Sequence, residues 1–146
     1  MNNIIFIENY FIHDNQVITD IPTNILNLDI CNNDSLISEL LIPQSLSSLK
    51  SLIIEDSCYK KVRKFVIDGL ASLESVQIGE DCISISDDER NDGICRITNC
   101  PNLRQLKIGY QSIYDYISFE LSNLNSIQSI NFGRYCFVFF QLLNKE

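Results

Sequence analysis

The chain has 146 residues, enough for one domain, and its 45% hydrophobic and 21% charged composition is typical of a globular protein. Nineteen Asp and Glu residues against eleven Lys and Arg give a formal net charge of -8, which disfavours nonspecific binding to nucleic acid. Ala71 is the only alanine while Ile and Leu are abundant, so residue propensity favours strands and nearly excludes a helical bundle.

The N-terminal segment lacks the features of a secretion signal. Its first twenty residues contain no basic region, and polar residues interrupt the apolar ones. No segment approaches the ~20 apolar residues that span a bilayer, so we expect a cytoplasmic chain without membrane insertion, exposed at a surface only as part of a longer parent. Without a secretion signal, the six cysteines are expected to be reduced, and the lone His13 and the absence of a CxxC motif disfavour a metal site.

Five segments of the chain fit one L-x-x-L-x-I template. They are ILNLDI from Ile25, LKSLII from Leu49, LESVQI from Leu73, LRQLKI from Leu103 and IQSINF from Ile127. The starts are 24, 24, 30 and 24 residues apart, and one more step of 24 reaches Met1, where MNNIIF fits loosely. Because the template ends in period-2 alternation, it predicts short parallel strands that stack in coils of about 24 residues around a shared core.

The segments between these strands are expected to return to the same core. The position eight residues before each start is always apolar: Val17, Leu41, Phe65, Cys95 and Phe119. We therefore predict a single solenoid domain over residues 1–146, with irregular, loop-rich return arcs that each contribute an inward residue at this position.

Two segments break the repeat. The 30-residue coil contains an insertion at 84–93 that is rich in Asp and Glu; its Gly93 and the lack of a Glu at the twelfth position do not fit an EF-hand, so we interpret it as a solvated turn that could form part of a binding face. The last ten residues, 137–146, are an atypical apolar tail. Either this tail folds back as a cap or the chain belongs to a longer array, and an uncovered end predicts self-association through the C-terminal coil.

The template resembles a leucine-rich repeat, a 20 to 29 residue unit with L-x-x-L-x-L at its strand. Where the common pattern has Asn or Cys, this chain has Asn33, Ser57, Asp81, Gln111 and Tyr135, and cysteine falls one residue later at Cys58, Cys82 and Cys136. The endings IDGLASL, ITNCPNL and LSNLNSI are similar to those of the irregular BspA-like repeats of bacterial and protist surface proteins. The resemblance implies a protein-binding scaffold without catalysis, and it assigns no functional residues.

The outward positions of the strands provide the candidate interaction face. These positions are polar or charged at Asn27, Asp29, Lys50, Ser51, Glu74, Gln77, Arg104, Gln105, Lys107, Gln128 and Asn131. This surface is either simply solvated or binds an unidentified protein. No hydrolase, P-loop or dinucleotide motif occurs, so we assign no catalytic, cofactor or metal residue and expect no enzymatic activity. The alternative function is a structural or assembly fragment of a larger receptor, adhesin or signalling protein that associates through its uncapped ends.

Overall fold

The regular secondary structure of the described residues is almost entirely β-strand. The computed structural model describes residues 4–84, 92–114 and 116–136, and the backbone of 141–145. In these ranges one 3-10 turn, Ile18–Asp20, accompanies eleven strands. In chain order the strands are β1 (Ile7–Ile12), β2 (Ile25–Ile30), β3 (Glu39–Leu41), β4 (Ser51–Ile54), β5 (Lys64–Asp68), β6 (Ser75–Ile78), β7 (Gly93–Thr98), β8 (Gln105–Ile108), β9 (Tyr116–Ser122), β10 (Ser129–Phe132) and β11 (Gln141–Lys145).

The strands form two sheets, and the pairings between them are parallel. The first sheet has the order β1-β2-β4-β6-β8-β10 and the second has the order β11-β9-β7-β5-β3. From β2 onward the chain alternates between the two sheets. The segment that connects two neighbouring strands of one sheet therefore contains a strand of the other sheet. The expectation of stacked parallel strands is confirmed. The expectation of loop-rich return arcs is wrong, because these arcs contain the second sheet.

In the first sheet, the strand register places the apolar residues of successive segments side by side. Leu28 pairs with Leu52, Leu52 with Val76, and Val76 with Leu106, and each is at most 1% exposed. A second buried row runs parallel to it through Ile30, Ile54, Ile78 and Ile108. Burial of one such side chain stabilises the fold by roughly 1.5–3 kcal/mol, so the inner face of each strand depends on its neighbours for cover.

The first strand does not follow the 24-residue spacing. Ile7 of β1 pairs with Ile25 of β2, 18 residues later. The predicted first coil, with MNNIIF starting at Met1, is therefore wrong; residues 1–3 lie outside the described residues, and Ile4 is 70% exposed. The connection between β1 and β2 contains only a 3-10 turn and no strand of the second sheet, and it is correspondingly shorter.

In the second sheet, the buried row begins at Leu40 and not at the predicted Leu41. Leu40 pairs with Phe65 and is fully buried, while Leu41 is 46% exposed and Val17 is 55% exposed. The other predicted members of this row, Phe65, Cys95 and Phe119, are fully buried. The step from Leu40 to its partner Phe65 is 25 residues, one more than the predicted 24. Because successive strand residues point to opposite faces, Leu40 points inward and Leu41 points outward.

A tight turn follows each of the strands β2, β4, β6, β8 and β10. This turn explains why the cysteines fall one residue later than in the common leucine-rich-repeat pattern. The turn residues Asn32, Ser57, Asp81, Gln111 and Tyr135 have φ between 50° and 63°. The next residue points inward: Asn33, Cys58, Cys82, Ser112 or Cys136. Cys82 Sγ donates to Glu55 O at 2.9 Å, and Ser112 Oγ donates to Gly79 O at 2.6 Å. These side chains therefore satisfy backbone carbonyls of the neighbouring turn.

The turn after β8 requires glycine at its first position. Gly109 N–H donates to Ile78 O at 2.8 Å, which brings two successive turns into contact. A Cβ at Gly109 would lie 2.7 Å from the carbonyl oxygen of Gly79, closer than carbon and oxygen can approach. The stacking distance of the backbone, and not turn conformation alone, therefore excludes a side chain here.

The core is less covered at the β10 end of the first sheet. Ile130 and Phe132 of β10 are 44% and 39% exposed, and the Phe132 ring packs edge-on against Phe119 with centroids 5.7 Å apart. The backbone of residues 141–145 pairs with β9 and extends the second sheet. The aromatic residues of the predicted apolar tail, all within 137–140, lie outside the described residues.

Replacement of Ser112 by Ala removes a hydroxyl that joins two turns. Ser112 is fully buried, and its Oγ also accepts the Cys82 N–H at 3.0 Å. Since Ser112→Ala leaves that donor without its partner, we expect the free energy of unfolding in urea to fall by about 1–3 kcal/mol. Ser129→Ala on the exposed surface of β10 is the control and should change it by less than about 0.5 kcal/mol. Equal losses in both variants would contradict the role of the turn hydroxyl.

The six cysteines should react slowly in the native protein. All six are free thiols, and burial raises the pKa of each, to about 12 for Cys82. Because the thiolate is the reactive form, we expect Ellman's reagent at pH 8 to modify half-buried Cys31 and Cys136 first and the other four only on unfolding. Six thiols should be counted in denaturant; a count of four would instead indicate a bridge, for which the adjacent Cys58 and Cys82 are the first pair to test.

Candidate interaction face

The outer face of the first sheet carries three rows of side chains that run across the strands. The first row, where the chain enters each strand, consists of Leu26, Lys50, Glu74, Arg104 and Gln128. The second consists of Asn9, Asn27, Ser51, Ser75, Gln105 and Ser129. The third consists of Phe11, Asp29, Ile53, Gln77, Lys107 and Asn131. All eleven residues predicted for the interaction face lie in these rows.

Charges alternate in sign along the first row. Glu74 N–H donates to Lys50 O at 2.7 Å, and Arg104 N–H donates to Glu74 O at 2.8 Å, so the three backbones are held in adjacent positions. Glu74 therefore lies between two basic residues in the row, and the backbones of Lys50 and Arg104 are two strand spacings, roughly 10 Å, apart. This arrangement keeps like charges separated by about one Debye length.

Part of the second row is fixed by its own hydrogen bonds. Ser51 Oγ donates to Asn27 Oδ1 at 2.7 Å, and Asn27 Nδ2 donates to Glu8 O at 2.8 Å. These bonds link three neighbouring strands across the surface. The polar groups at this end of the face are therefore ordered before any partner binds, which lowers the entropic cost of association.

The third row contains two of the apolar side chains of the face, Phe11 and Ile53. Phe11 is 58% exposed and lies beside Asp29 in the register, and Asp29 lies beside Ile53. Oδ1 of Asp29 is buried and has no hydrogen-bond partner. Because Oδ1 of Asp29 is buried, the group that this part of the face offers to a partner is the exposed ring of Phe11.

The sequence pattern missed Asn9 and Phe11 as members of this face. Both belong to β1, whose pairing with β2 was predicted at the wrong spacing. The signal was nevertheless present, because IENYFI at Ile7–Ile12 fits the same template with Ile7, Tyr10 and Ile12 as its inward residues. A search for the template without a fixed period would have found them.

Two carboxyl groups meet at the end of β4. Burial raises the pKa of Glu55, and the charge of Asp29 and a hydrogen bond with it raise the Glu55 pKa further. The same acidic groups contribute to the raised pKa of the nearby Cys31 thiol, for which burial is the main cause. This corner of the face therefore favours a protonated Glu55 at a higher pH than an isolated glutamate.

The outer face of the second sheet also contains a polar cleft, but its groups bind one another. The cleft has a volume of about 440 Å³, and Asp68 Oδ1 accepts hydrogen bonds from Thr98 Oγ1 and Asn99 Nδ2, both at 2.8 Å. Arg96 Nε donates to Glu120 Oε2 at 3.0 Å. Since these donors and acceptors are already satisfied, this surface offers a partner less than the first sheet does.

The predicted insertion is described only at its edges. Residues 85–91 lie outside the described residues, and Asp92 accepts a hydrogen bond from Arg63 Nη2 at 2.6 Å. His13, the lone histidine, contacts the exposed Asp14 at 2.9 Å in the connection after β1. Among the described residues, no group of three or more His, Cys, Asp or Glu side chains is placed to hold a metal ion.

No family model, curated protein sequence or solved structure matches this chain. Within the described part of the chain, no helix is long and apolar enough to cross a membrane.

Replacement of Glu55 by Gln should make stability less dependent on pH. The unfolded chain ionises Glu55 near the ordinary pKa of 4.5, whereas the fold raises this pKa. The stabilisation that comes from the protonated carboxyl is therefore present below about pH 4.5 and lost as the pH rises through the folded pKa. We expect Glu55→Gln to raise the melting temperature relative to wild type at pH 7 and to leave it unchanged at pH 4.

The control for this experiment is Glu80→Gln, in the exposed turn after β6. Circular dichroism melts at pH 4 and pH 7 would compare the three proteins. A melting temperature that rises equally in both variants would mean that removal of any surface carboxylate relieves the net charge, and it would contradict the specific pairing of Glu55 with Asp29.

Proposed function

We propose that this chain is a non-catalytic protein-interaction scaffold of leucine-rich-repeat type, with the outer face of the first sheet as its binding surface. The observation that supports this proposal most is the alignment of six parallel strands into one continuous face. Such a face presents rows of side chains at fixed strand spacing, as repeat proteins do when they bind partners. Its mixed charges and its single exposed aromatic ring, Phe11, suit a protein surface better than a small ligand.

The leucine-rich-repeat assignment, in its irregular BspA-like form, is supported by the turns. Strands β4, β6, β8 and β10 are followed by a left-handed turn residue and then by an inward Cys or Ser at the position where the template places it; after β2 the inward residue is Asn33, one position earlier. At the other sheet, Gly69, Asn99 and Asn123 have φ of 76°, 56° and 54° within the three endings that resemble the family. Glycine and asparagine are the residues that adopt this conformation most readily.

The second candidate function is assembly through the ends of the stack. The exposed Ile130 and Phe132 on β10 favour it, because an apolar strand at a sheet edge can pair with another chain. In this function the partner would be a further array of the same kind or a second copy of this chain. Light scattering after size-exclusion chromatography, over a range of protein concentrations, distinguishes this function from a monomeric scaffold.

The binding face is tested by two double variants that remove the same charge from different sheets. Arg104→Ala with Lys107→Ala alters the first sheet, and Lys64→Ala with Arg96→Ala alters the second. If the first sheet binds the partner, the first variant should lose about 1 kcal/mol or more of binding free energy, roughly a fivefold loss of captured partner, and the second should retain it. Quantitative crosslinking in cell lysate followed by mass spectrometry measures the capture.

Circular dichroism of both variants serves as the control for folding. Equal retention of the same partner by both variants would contradict the proposed face. Loss of capture in an Ile130→Ser, Phe132→Ser variant, with retention in the Arg104 and Lys107 variant, would instead support assembly through the end of the stack.

A further inference from the structure

The N-terminal third of the chain is acidic. Residues 1–49 contain no Lys or Arg, and the first of these residues is Lys50. The acidic residues of this segment are Glu8, Asp14, Asp20, Asp29, Asp34 and Glu39. Whatever binds at this end of the molecule therefore meets negative potential, which attracts cationic segments and raises their rate of association.

At this end, β3 is the last strand of the second sheet, and one of its edges is unpaired among the described residues. Ile42 N–H donates to Val66 O at 3.0 Å, and Ser38 O accepts the Arg63 N–H at 2.7 Å, so the even-numbered residues bond to β5. Backbone groups of alternate residues point to opposite sides of a strand. The N–H and C=O groups of Glu39 and Leu41 therefore face away from β5, toward the open side.

A cleft lies along this open side. It has a volume of about 240 Å³, and Ile37, Glu39 and Leu41 line one wall while Val17 and Ile18 line the other. Val17, Ile37 and Leu41 are 55%, 40% and 46% exposed. The cleft is smaller than the roughly 300–1,000 Å³ pockets that hold drug-sized ligands, so it has room for one or two apolar side chains beside the strand edge.

We propose that the open edge of β3 binds an extended segment of a basic partner protein, which adds a strand to the second sheet. The main chain of the segment would bond to the N–H and C=O groups of Glu39 and Leu41, as in other cases of strand addition. One of its apolar side chains enters the cleft between Val17 and Leu41. Its alternate Lys or Arg side chains face Glu39, which lines the cleft, and Asp14, Asp20 and Asp34, which are adjacent in sequence to residues that line it. This site is separate from the face of the first sheet and does not depend on it.

Charge decides between the two occupants that could supply a strand. A second copy of this chain carries the same net charge of -8, which disfavours its approach within about one Debye length. A segment that alternates apolar and basic residues satisfies the backbone, the cleft and the acidic surface together. Lys64, which pairs with Glu39 in the register, lies on the β5 side of the strand and leaves the open edge without a cation of its own among the residues that line it.

The experiment uses the full chain, labelled with ¹⁵N, and a capped seven-residue peptide of alternating Lys and Val as the probe. On addition of the peptide, we expect the Glu39 and Leu41 amides to shift and to exchange with D₂O at least tenfold more slowly. A control peptide of the same sequence with alternate N-methylated residues keeps the charge and loses the backbone donors. It should bind at least tenfold more weakly. Equal binding of both peptides would overturn the proposal, because charge alone would account for it.

Two variants with the same change of charge test the cleft. Leu41→Asp alters a wall of the cleft, whereas Leu36→Asp alters a neighbouring side chain that is 81% exposed and outside the lining. Both substitutions make the surface more acidic, so a purely electrostatic interaction would strengthen in both. We expect at least a tenfold loss of peptide binding in Leu41→Asp and none in Leu36→Asp, with both folded by circular dichroism.

Two further results would overturn the proposal. One is unchanged Glu39 and Leu41 amides at saturating peptide. The other is protection of these amides that rises with protein concentration in the absence of peptide and disappears in Leu41→Asp, which would identify a second copy as the occupant. The Arg104→Ala, Lys107→Ala variant should bind the peptide as tightly as wild type. This result would show that the β3 edge binds the peptide without the face of the first sheet, so the two proposals can fail separately.

Discussion

The fold depends on the register of its parallel strands. Each strand exposes alternate side chains to the core and to solvent, so the backbone hydrogen bonds between neighbours also decide which residues are buried. In the first sheet this register keeps Leu28, Leu52, Val76 and Leu106 in one buried row. A slip of one residue would bring the polar second row into the core. The turn hydroxyl of Ser112 and the close approach at Gly109 act against such a slip, because both join neighbouring turns at one relative position only.

The same dependence explains where the molecule offers binding surfaces. A strand in the middle of a sheet has both edges paired and one face buried, so only its outer side chains are available. Among the described residues, a strand at the end of a sheet also has an unpaired backbone edge, and its core residues are less covered, as Ile130 and Phe132 on β10 illustrate. Faces and edges therefore bind different chemistry: side-chain groups on the first sheet, and main-chain groups together with apolar side chains at β3 and β10.

The sequence predicted the first sheet well because its template combines two signals, period-2 alternation and a repeated apolar start. It did not predict the second sheet, since segments such as KFVID and YISFELS share alternation and an inward Phe but no longer motif. A fixed 24-residue step also concealed two irregularities, the 18-residue step to β1 and the extra residue before Phe65. The first hid Phe11 from the candidate face, and the second assigned Leu41 to the core. Both errors arise because a register is set by pairing in three dimensions, which a period along the chain only approximates.

The edge at β3 shows how one residue can both protect a strand and select its partner. Natural proteins protect exposed edges with short strands and charged side chains, and β3 has only three residues with the exposed Glu39 at its start. A lysine at position 39 would prevent pairing with an uncharged strand of another protein equally well. In a chain of net charge -8, however, a glutamate adds to the repulsion between copies, while it leaves the edge open to a cationic strand. Protection against self-pairing and preference for a basic partner then follow from the same negative charge.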